Sequence, residues 1–206
     1  MSTFLTAEQE ALANEIGSLA TARGETVAVA EATTGGLVSS ALLWVAGASR
    51  FYAGGGVVYT RNSRVQLAGV PASEYENYQG TTAPLIASLA EHMRDRLGAT
   101  WCIAESGLAG PTGGRSGAPI GRTTIGVAGP VARTEVFETG VTDRGENMVL
   151  FTTLALRYLR DALAEAGPLT TRRATRSWRG GLRRENGPAS CTLLVNGGMR
   201  AHLRLW

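Results

Sequence analysis

The chain has 206 residues, 44% of them hydrophobic, and a formal net charge of +3, the composition of a soluble globular domain able to bury one ordinary core. No stretch approaches the roughly 20 apolar residues that span a bilayer, and MSTFLTAEQE lacks the basic start and apolar centre of a signal peptide, so a cytoplasmic location is expected. All 20 basic residues are Arg and none is Lys, which excludes from this chain any mechanism that needs a lysine base.

The charge is unevenly placed. Residues 1–167 carry 12 Arg against 16 Asp and Glu, whereas residues 168–206 carry 8 Arg against one Glu, so the basic excess belongs to the tail. Cys102 and Cys191 stand far apart without partner spacing, and His92 and His202 have no neighbouring ligand types. Neither a disulfide framework nor a metal site is indicated, and Cys102 reads as a small core hydrophobe.

In chain order, TAEQEALANEIGSLATARG has apolar residues at helical spacing, an N-cap at Thr6 with Gln9 three residues on, and Gly24 to stop it. TVAVAE predicts a short buried strand, and Gly35-Gly36 turns it into GLVSSALLWVAG, read as a buried helix. GGGVVYT is a second strand, PLIASLAEHMRDRLG an amphipathic helix closed by Gly98, and TWCIAES a third strand. GRTTIGVAG and RTEVFETG then read as two strands of a hairpin across PVA. Asp143 and Glu146 form a capping box for the last helix, which Gly167-Pro168 ends. This alternation predicts a single α/β domain with a mostly parallel sheet between helical layers.

Two strands end alike, in AVAEATTGG and CIAESGLAGPTGG, each placing Glu, a hydroxyl and glycines at the carboxyl end, where open α/β sheets bind ligands. Glycines let backbone amides approach a ligand, and a helix starting at Gly35-Gly36 directs unpaired N–H groups and its positive dipole end to the same place. That suits a phosphate, a carboxylate or an oxyanion; tight turns with Thr34 as a helix cap are the simpler alternative. Glu31 and Glu105, each ending an apolar strand, must be hydrogen-bonded, paired or exposed in a cleft. An ion pair with Arg64 or Arg144 is one reading, and a general base or orienting carboxylate the other. Tyr59 at a strand end, with Arg64 five residues on, either faces the same cleft or packs in the core. GLAGPTGGRSGAPIG is too rich in Gly and Pro for a regular element and reads as a functional loop.

These motifs resemble the CinA C-terminal domain family, whose bacterial members include nicotinamide mononucleotide deamidases. From about Leu12 to Leu163, AEATTGG stands where the family has AESCTGG, GASRFYAGGGVVYTRNSR where it has a GSS…GG.VTY….K pattern, and SGLAGPTGG for its GIAGP.GG loop, with Asp143-Arg144 following. The resemblance implies a three-layer α/β/α sandwich over residues 1–167. It also implies an amidohydrolase of NAD metabolism that converts nicotinamide mononucleotide to nicotinic acid mononucleotide and ammonia without metal or organic cofactor. Oligomers are expected in the family, although no periodicity here marks an interface.

In such enzymes a serine attacks the carboxamide, a lysine serves as base and backbone amides hold the oxyanion. Here the serine position is Ala32 and the lysine position is Arg64. Alanine offers no nucleophile, and arginine stays protonated at neutral pH. Met148 stands near where the family often has an arginine, and Glu105 where it usually has a small or hydroxyl residue. Thr34, Gly35, Gly36, Tyr59, Ser106, Gly107 and Gly110 match the family's cradle. Three readings follow. In the first, the enzyme has an altered mechanism in which Thr33 attacks or Glu31 or Glu105 activates water. In the second, the chain is a pseudoenzyme that binds a pyridine nucleotide or related small molecule. In the third, more remote reading it binds nucleic acid through the tail.

Residues 168–206 lie beyond the resemblance. Arginines interleaved with Trp178 suit phosphate contact and base stacking. The abundance of Arg, Gly, Ser and Pro equally predicts a disordered segment, and in a lysine-free chain it also matches a shifted reading frame.

Overall fold

A computed structural model describes residues 4–114 and 117–167; the basic tail, with Trp178, Cys191 and His202, lies outside the described residues. Helix α1 (Ala7–Arg23) begins as predicted, Thr6 and Gln9 forming a reciprocal capping box and Gly24 closing it at φ 64°. Strand β1 (Val27–Glu31) follows, then α2 (Leu37–Trp44), β2 (Tyr52–Val57) and one α-helical turn, α3 (Arg61–Ser63), that continues into a wider π-type turn over Arg64–Ala68. Helix α4 (Ala83–Arg96), strands β3 (Trp101–Leu108), β4 (Arg122–Ala128) and β5 (Arg133–Glu138), and helix α5 (Arg144–Glu165) complete the order. At the start of α5 the Asp143 side chain accepts from the Glu146 amide at 2.8 Å; this is a simple N-cap rather than the expected reciprocal box, since Glu146 returns no bond to Asp143.

The five strands run in the order β2-β1-β3-β4-β5. β1 pairs parallel with both β2 and β3, while β3–β4 and β4–β5 are antiparallel, so the hairpin read from the sequence turns a parallel sheet into a mixed one. Period-two alternation separates two cores. Val27 and Val29 of β1, with Trp101 and Ile103 of β3, face α1, α2 and α5. Ala28, Ala30, Cys102 and Ala104 face α4 and the turn bearing Ala68 and Val70. Small residues on that second face let α4 approach closely: a Cβ on Gly126 would lie 2.9 Å from the Ile86 side chain. Cys102 is fully buried, its thiol pKa pushed up by desolvation, in agreement with a core role.

Helix α2 departs from the sequence reading. Its leucines and small residues predict a buried helix, yet only Val38, Ala41 and Leu42 are buried, and Leu43 and Trp44 are 56% and 48% exposed. The helix lies at the edge of its layer, where one face suffices for the core.

Candidate functional site

The register that pairs Glu31 with Glu105 brings the two glycine loops side by side at the carboxyl ends of β1 and β3. Both carboxylates are 1% exposed, and among the described residues neither forms an ion pair. The Arg64 or Arg144 partner offered by the sequence is therefore replaced by neutral donors. Glu31 accepts from Thr34 Oγ1 at 2.7 Å, from the Val38 and Ser39 amides at 3.1 Å each, and from Ser39 Oγ at 2.6 Å. These amides belong to the first turn of α2, so the positive helix end expected to meet a ligand is occupied by the chain's own carboxylate. Gly35 and Gly36, at φ 63° and 105°, make the turn that permits this, and the Met148 methyl would lie 3.3 Å from a Cβ on Gly35.

Glu105 accepts from the Thr33 and Thr34 amides at 2.9 and 3.1 Å and from Thr123 Oγ1 at 2.8 Å. Thr34 Oγ1 also lies 3.3 Å from Glu105 Oε2, so one hydroxyl stands between two carboxyl groups. Burial raises the Glu105 pKa above the ordinary carboxylate range; the bonds from Thr123, Thr34 and Thr33 oppose the rise, and the neighbouring Glu31 adds to it.

With its folded pKa above the unfolded value of about 4.3, Glu105 contributes stability that is complete below that value and declines as pH rises through the folded pKa. In Glu105→Gln the amide oxygen can accept from Thr33 and Thr34 while Nε2 donates to Thr123, and nothing titrates. The stability of the variant relative to the native chain is expected to rise with pH across that window, by at most about 1.4 kcal/mol per pH unit. Urea unfolding of both proteins between acid and mildly alkaline pH measures it; parallel curves would contradict it.

Beside these loops opens a cleft of about 640 Å³, within the range of small-molecule sites. Ala32 and Thr33 line it from the β1 loop, Ser106, Gly107 and Leu108 from β3, and Tyr59, Thr60, Arg61 and Arg64 from the segment after β2. Tyr78, Gln79, Gly80 and Thr81, then Gly114, Ala118, Arg122 and Thr124, close the other walls. Of the residues singled out from sequence, Ala32, Thr33, Tyr59, Arg64, Ser106 and Gly107 are thus brought together. Glu31, Thr34, Gly35, Gly36, Glu105 and Gly110 are not on the described wall. Tyr59 is 59% exposed and lines the cleft, so of its two sequence alternatives the core placement is excluded. The Thr33 hydroxyl is held by both backbone groups of Gly107, donating to the carbonyl at 2.9 Å and accepting from the amide at 2.7 Å; no titratable side chain is bonded to it.

Arg64 is the unusual member. It is 3% exposed and starts the π-type turn, a geometry frequent at functional sites. Nε donates to the Val58 carbonyl at 3.1 Å and Nη2 to Ser106 Oγ at 2.8 Å. The Tyr75 hydroxyl lies beside the guanidinium, yet neither Tyr75 Oη nor Arg64 Nη1 has a hydrogen-bond partner of adequate geometry. Ser106 Oγ continues to Thr81 Oγ1 at 3.0 Å and from there to Tyr78 Oη at 3.2 Å.

Several contributors were missed by sequence reasoning. Thr81 and Tyr78 join the hydroxyl chain, and Thr123 and Ser39 hold the carboxylates, all through contacts with no local signature. Asn147 is fully buried and donates to the Ala109 and Val141 carbonyls at 3.0 and 2.9 Å, while Arg144 donates to the Gly110 carbonyl at 2.9 Å. Together they fasten the loop after β3 to α5. Among the described residues no cluster of His, Cys, Asp and Glu could hold a metal ion, and no helix is long and apolar enough to cross a membrane.

Comparison with known proteins places this arrangement. The model of the CinA C-terminal domain matches residues 9–163. A CinA-like protein of Rippkaea orientalis is 36% identical over 159 residues, covering 76% of this chain and 38% of that protein; one from Desulfosudis oleivorans is 37% identical over 154 residues, covering 74% and 37%. The chain thus spans well under half the length of these curated relatives. Among solved structures, the competence/damage-inducible protein CihA from Agrobacterium tumefaciens superposes with a TM-score of 0.71 at 26% identity, covering 78% of this chain and 99% of that one. The protein belongs to the CinA C-terminal domain family.

Proposed function

We propose that the cleft binds a small anionic molecule of the pyridine-mononucleotide class and holds it without hydrolysing a carboxamide. The observation that carries this reading is the Arg64 guanidinium, 3% exposed among the residues that line the cleft and without an ion pair to any described carboxylate. A buried charge without a counter-charge costs several kcal/mol, and such a group in a cleft marks a functional-site candidate whose natural complement is a ligand anion.

Family membership supports the nucleotide part, because the resemblance implies nicotinamide mononucleotide as substrate. The residues on the wall argue against the reaction. Ala32 supplies no nucleophile, Arg64 no base, the Thr33 hydroxyl is fastened to Gly107, and Glu31 and Glu105 are buried behind the loops.

Calorimetric titration with nicotinamide mononucleotide and nicotinic acid mononucleotide, alongside an ammonia assay on the same protein, tests the reading. Binding of at least one nucleotide with ammonia release at the buffer level is the expected result. Turnover well above background would overturn the non-hydrolytic part and implicate Thr33 or a Glu-activated water. Absence of any binding would overturn the whole.

A further inference from the structure

We infer that the outer edge of β2, with the adjoining face of α2, binds the same edge of a second copy of this chain. The two β2 strands pair antiparallel across a two-fold axis, and two five-stranded sheets become one.

The edge is open and unguarded. β2 ends the strand order, and no described strand pairs with its outer side. The Val58 amide donates to the Glu31 carbonyl of β1 at 2.8 Å, so by strand alternation the backbone groups of Gly55 and Val57 point the other way. Ala53 is the extra residue of a bulge, with Val27 paired to Tyr52 and Ala28 to Gly54, and beyond it the register is regular to Val57. Such a row of unpaired backbone groups is a template for another strand. At the opposite edge β5 carries the charges of Arg133, Glu135 and Glu138, which oppose pairing. β2 carries none, and from Gly35 to Thr60 the single charged residue is Arg50, whose guanidinium folds over Gly47.

Both layers extend this edge with apolar side chains. Gly36, Ser39 and Leu43 share one face of α2 and its cap by helical spacing. The Tyr52 hydroxyl lies beside Ser39, and a Val57 methyl would lie 3.9 Å from a Cβ on Gly36. This face therefore runs along β2 and sends Leu43 to its outer side. On the other layer, Leu97 would lie 3.7 Å from a Cβ on Gly54. Leu43, Val57 and Leu97 are 56%, 46% and 38% exposed, and large apolar groups gathered in this way mark an interaction surface.

A second copy satisfies these features together. It brings a strand with the same unpaired donors and acceptors, and Gly55 presents no side chain to obstruct the approach. An uncharged surface meets itself without like-charge repulsion, whereas a charged partner gains no ion pair from it. A strand edge alone is too small for a stable dimer, which buries about 800 Å² per partner. Two-fold symmetry sets α2 beside its counterpart and Leu97 beside its own, so each apolar flank is buried twice.

Sedimentation velocity of the full chain across a dilution series, with amide hydrogen exchange at both ends of the series, tests the inference. A dimer that dissociates on dilution is expected, with exchange at Gly55 and Val57 slowed at least about 10-fold in the dimer. Leu43→Glu and Val57→Lys are each expected to raise the dissociation constant at least about 10-fold, and Val136→Lys on β5 to leave it within about 2-fold. Leu43→Glu changes no strand residue, so faster exchange at Gly55 and Val57 in that variant ties the helix flank to strand pairing. All three positions are exposed, and thermal melts check that the variants fold. A monomeric native chain whose Gly55 and Val57 amides exchange freely would overturn the inference. So would a monomer in which they are protected at every concentration, since the chain would then cover its own edge. A dimer unchanged by folded Leu43→Glu and Val57→Lys would put the interface elsewhere and overturn it as well.

Discussion

The Ala32→Ser, Arg64→Lys double variant is expected to release ammonia from nicotinamide mononucleotide at a rate at least about 100-fold above that of the native chain. Ala32 is 4% exposed and lines the cleft, with its amide held by the Glu105 carbonyl at 3.0 Å, so a serine there stands on a fixed backbone and adds one oxygen to the wall. A lysine at position 64, buried and without an acidic partner, has its pKa lowered by desolvation and can act as a base near neutral pH. Arginine cannot do so. Each single variant is expected to remain close to background, since one lacks the base and the other the nucleophile, and groups that act as a unit are strongly non-additive. Continuous ammonia detection over the four proteins checks the result. A silent double variant that still binds the nucleotide would mean that the cleft differs from the family's catalytic site by more than these two side chains.

Glu31→Ala is expected to destabilise the domain by about 2 to 5 kcal/mol, the cost of leaving two buried amides unpaired, and to lower its melting temperature by roughly 10 °C. The carboxylate takes hydrogen bonds from Thr34 Oγ1, the Val38 and Ser39 amides and Ser39 Oγ. Hydroxyls can rotate to new partners, whereas the two amides at the start of α2 cannot, and burial leaves them desolvated and unpaired. Glu31→Gln retains one acceptor oxygen and is expected to cost about half as much. Differential scanning calorimetry of the three proteins measures both. A loss under about 1 kcal/mol for Glu31→Ala would show that water or another donor set caps α2 in its place.

The two effects differ in how far they were legible beforehand. The absence of the serine and lysine at positions 32 and 64 can be seen in the sequence alone once AEATTGG and the segment around Tyr59 are set beside the family pattern. The structural role of Glu31 cannot. A strand-end Glu followed by glycines reads equally well as a base in a cleft or a member of an ion pair. Only the left-handed turn at Gly35 and Gly36, folding α2 back over the strand end, shows that the helix amides reach it. The motif match places Gly110 in the cradle; that its carbonyl accepts from Arg144, thirty-four residues away, is visible only in the structure.

The main helices and strands and their order were legible in the amino-acid sequence because caps, glycine stops and hydrophobic periodicity are local: Thr6 with Gln9 and Gly24 bound the first helix, and an apolar run marks the first strand. That no lysine base exists in this chain was legible there too. Which polar groups the chain itself occupies emerges only when remote segments pack together. Glu31 and Glu105 become neighbours through parallel pairing of distant strands, and Arg64 is buried against Ser106, forty-two residues on. The desolvation of a side chain and the identity of its partners depend on contacts between segments remote in sequence, which no local pattern encodes.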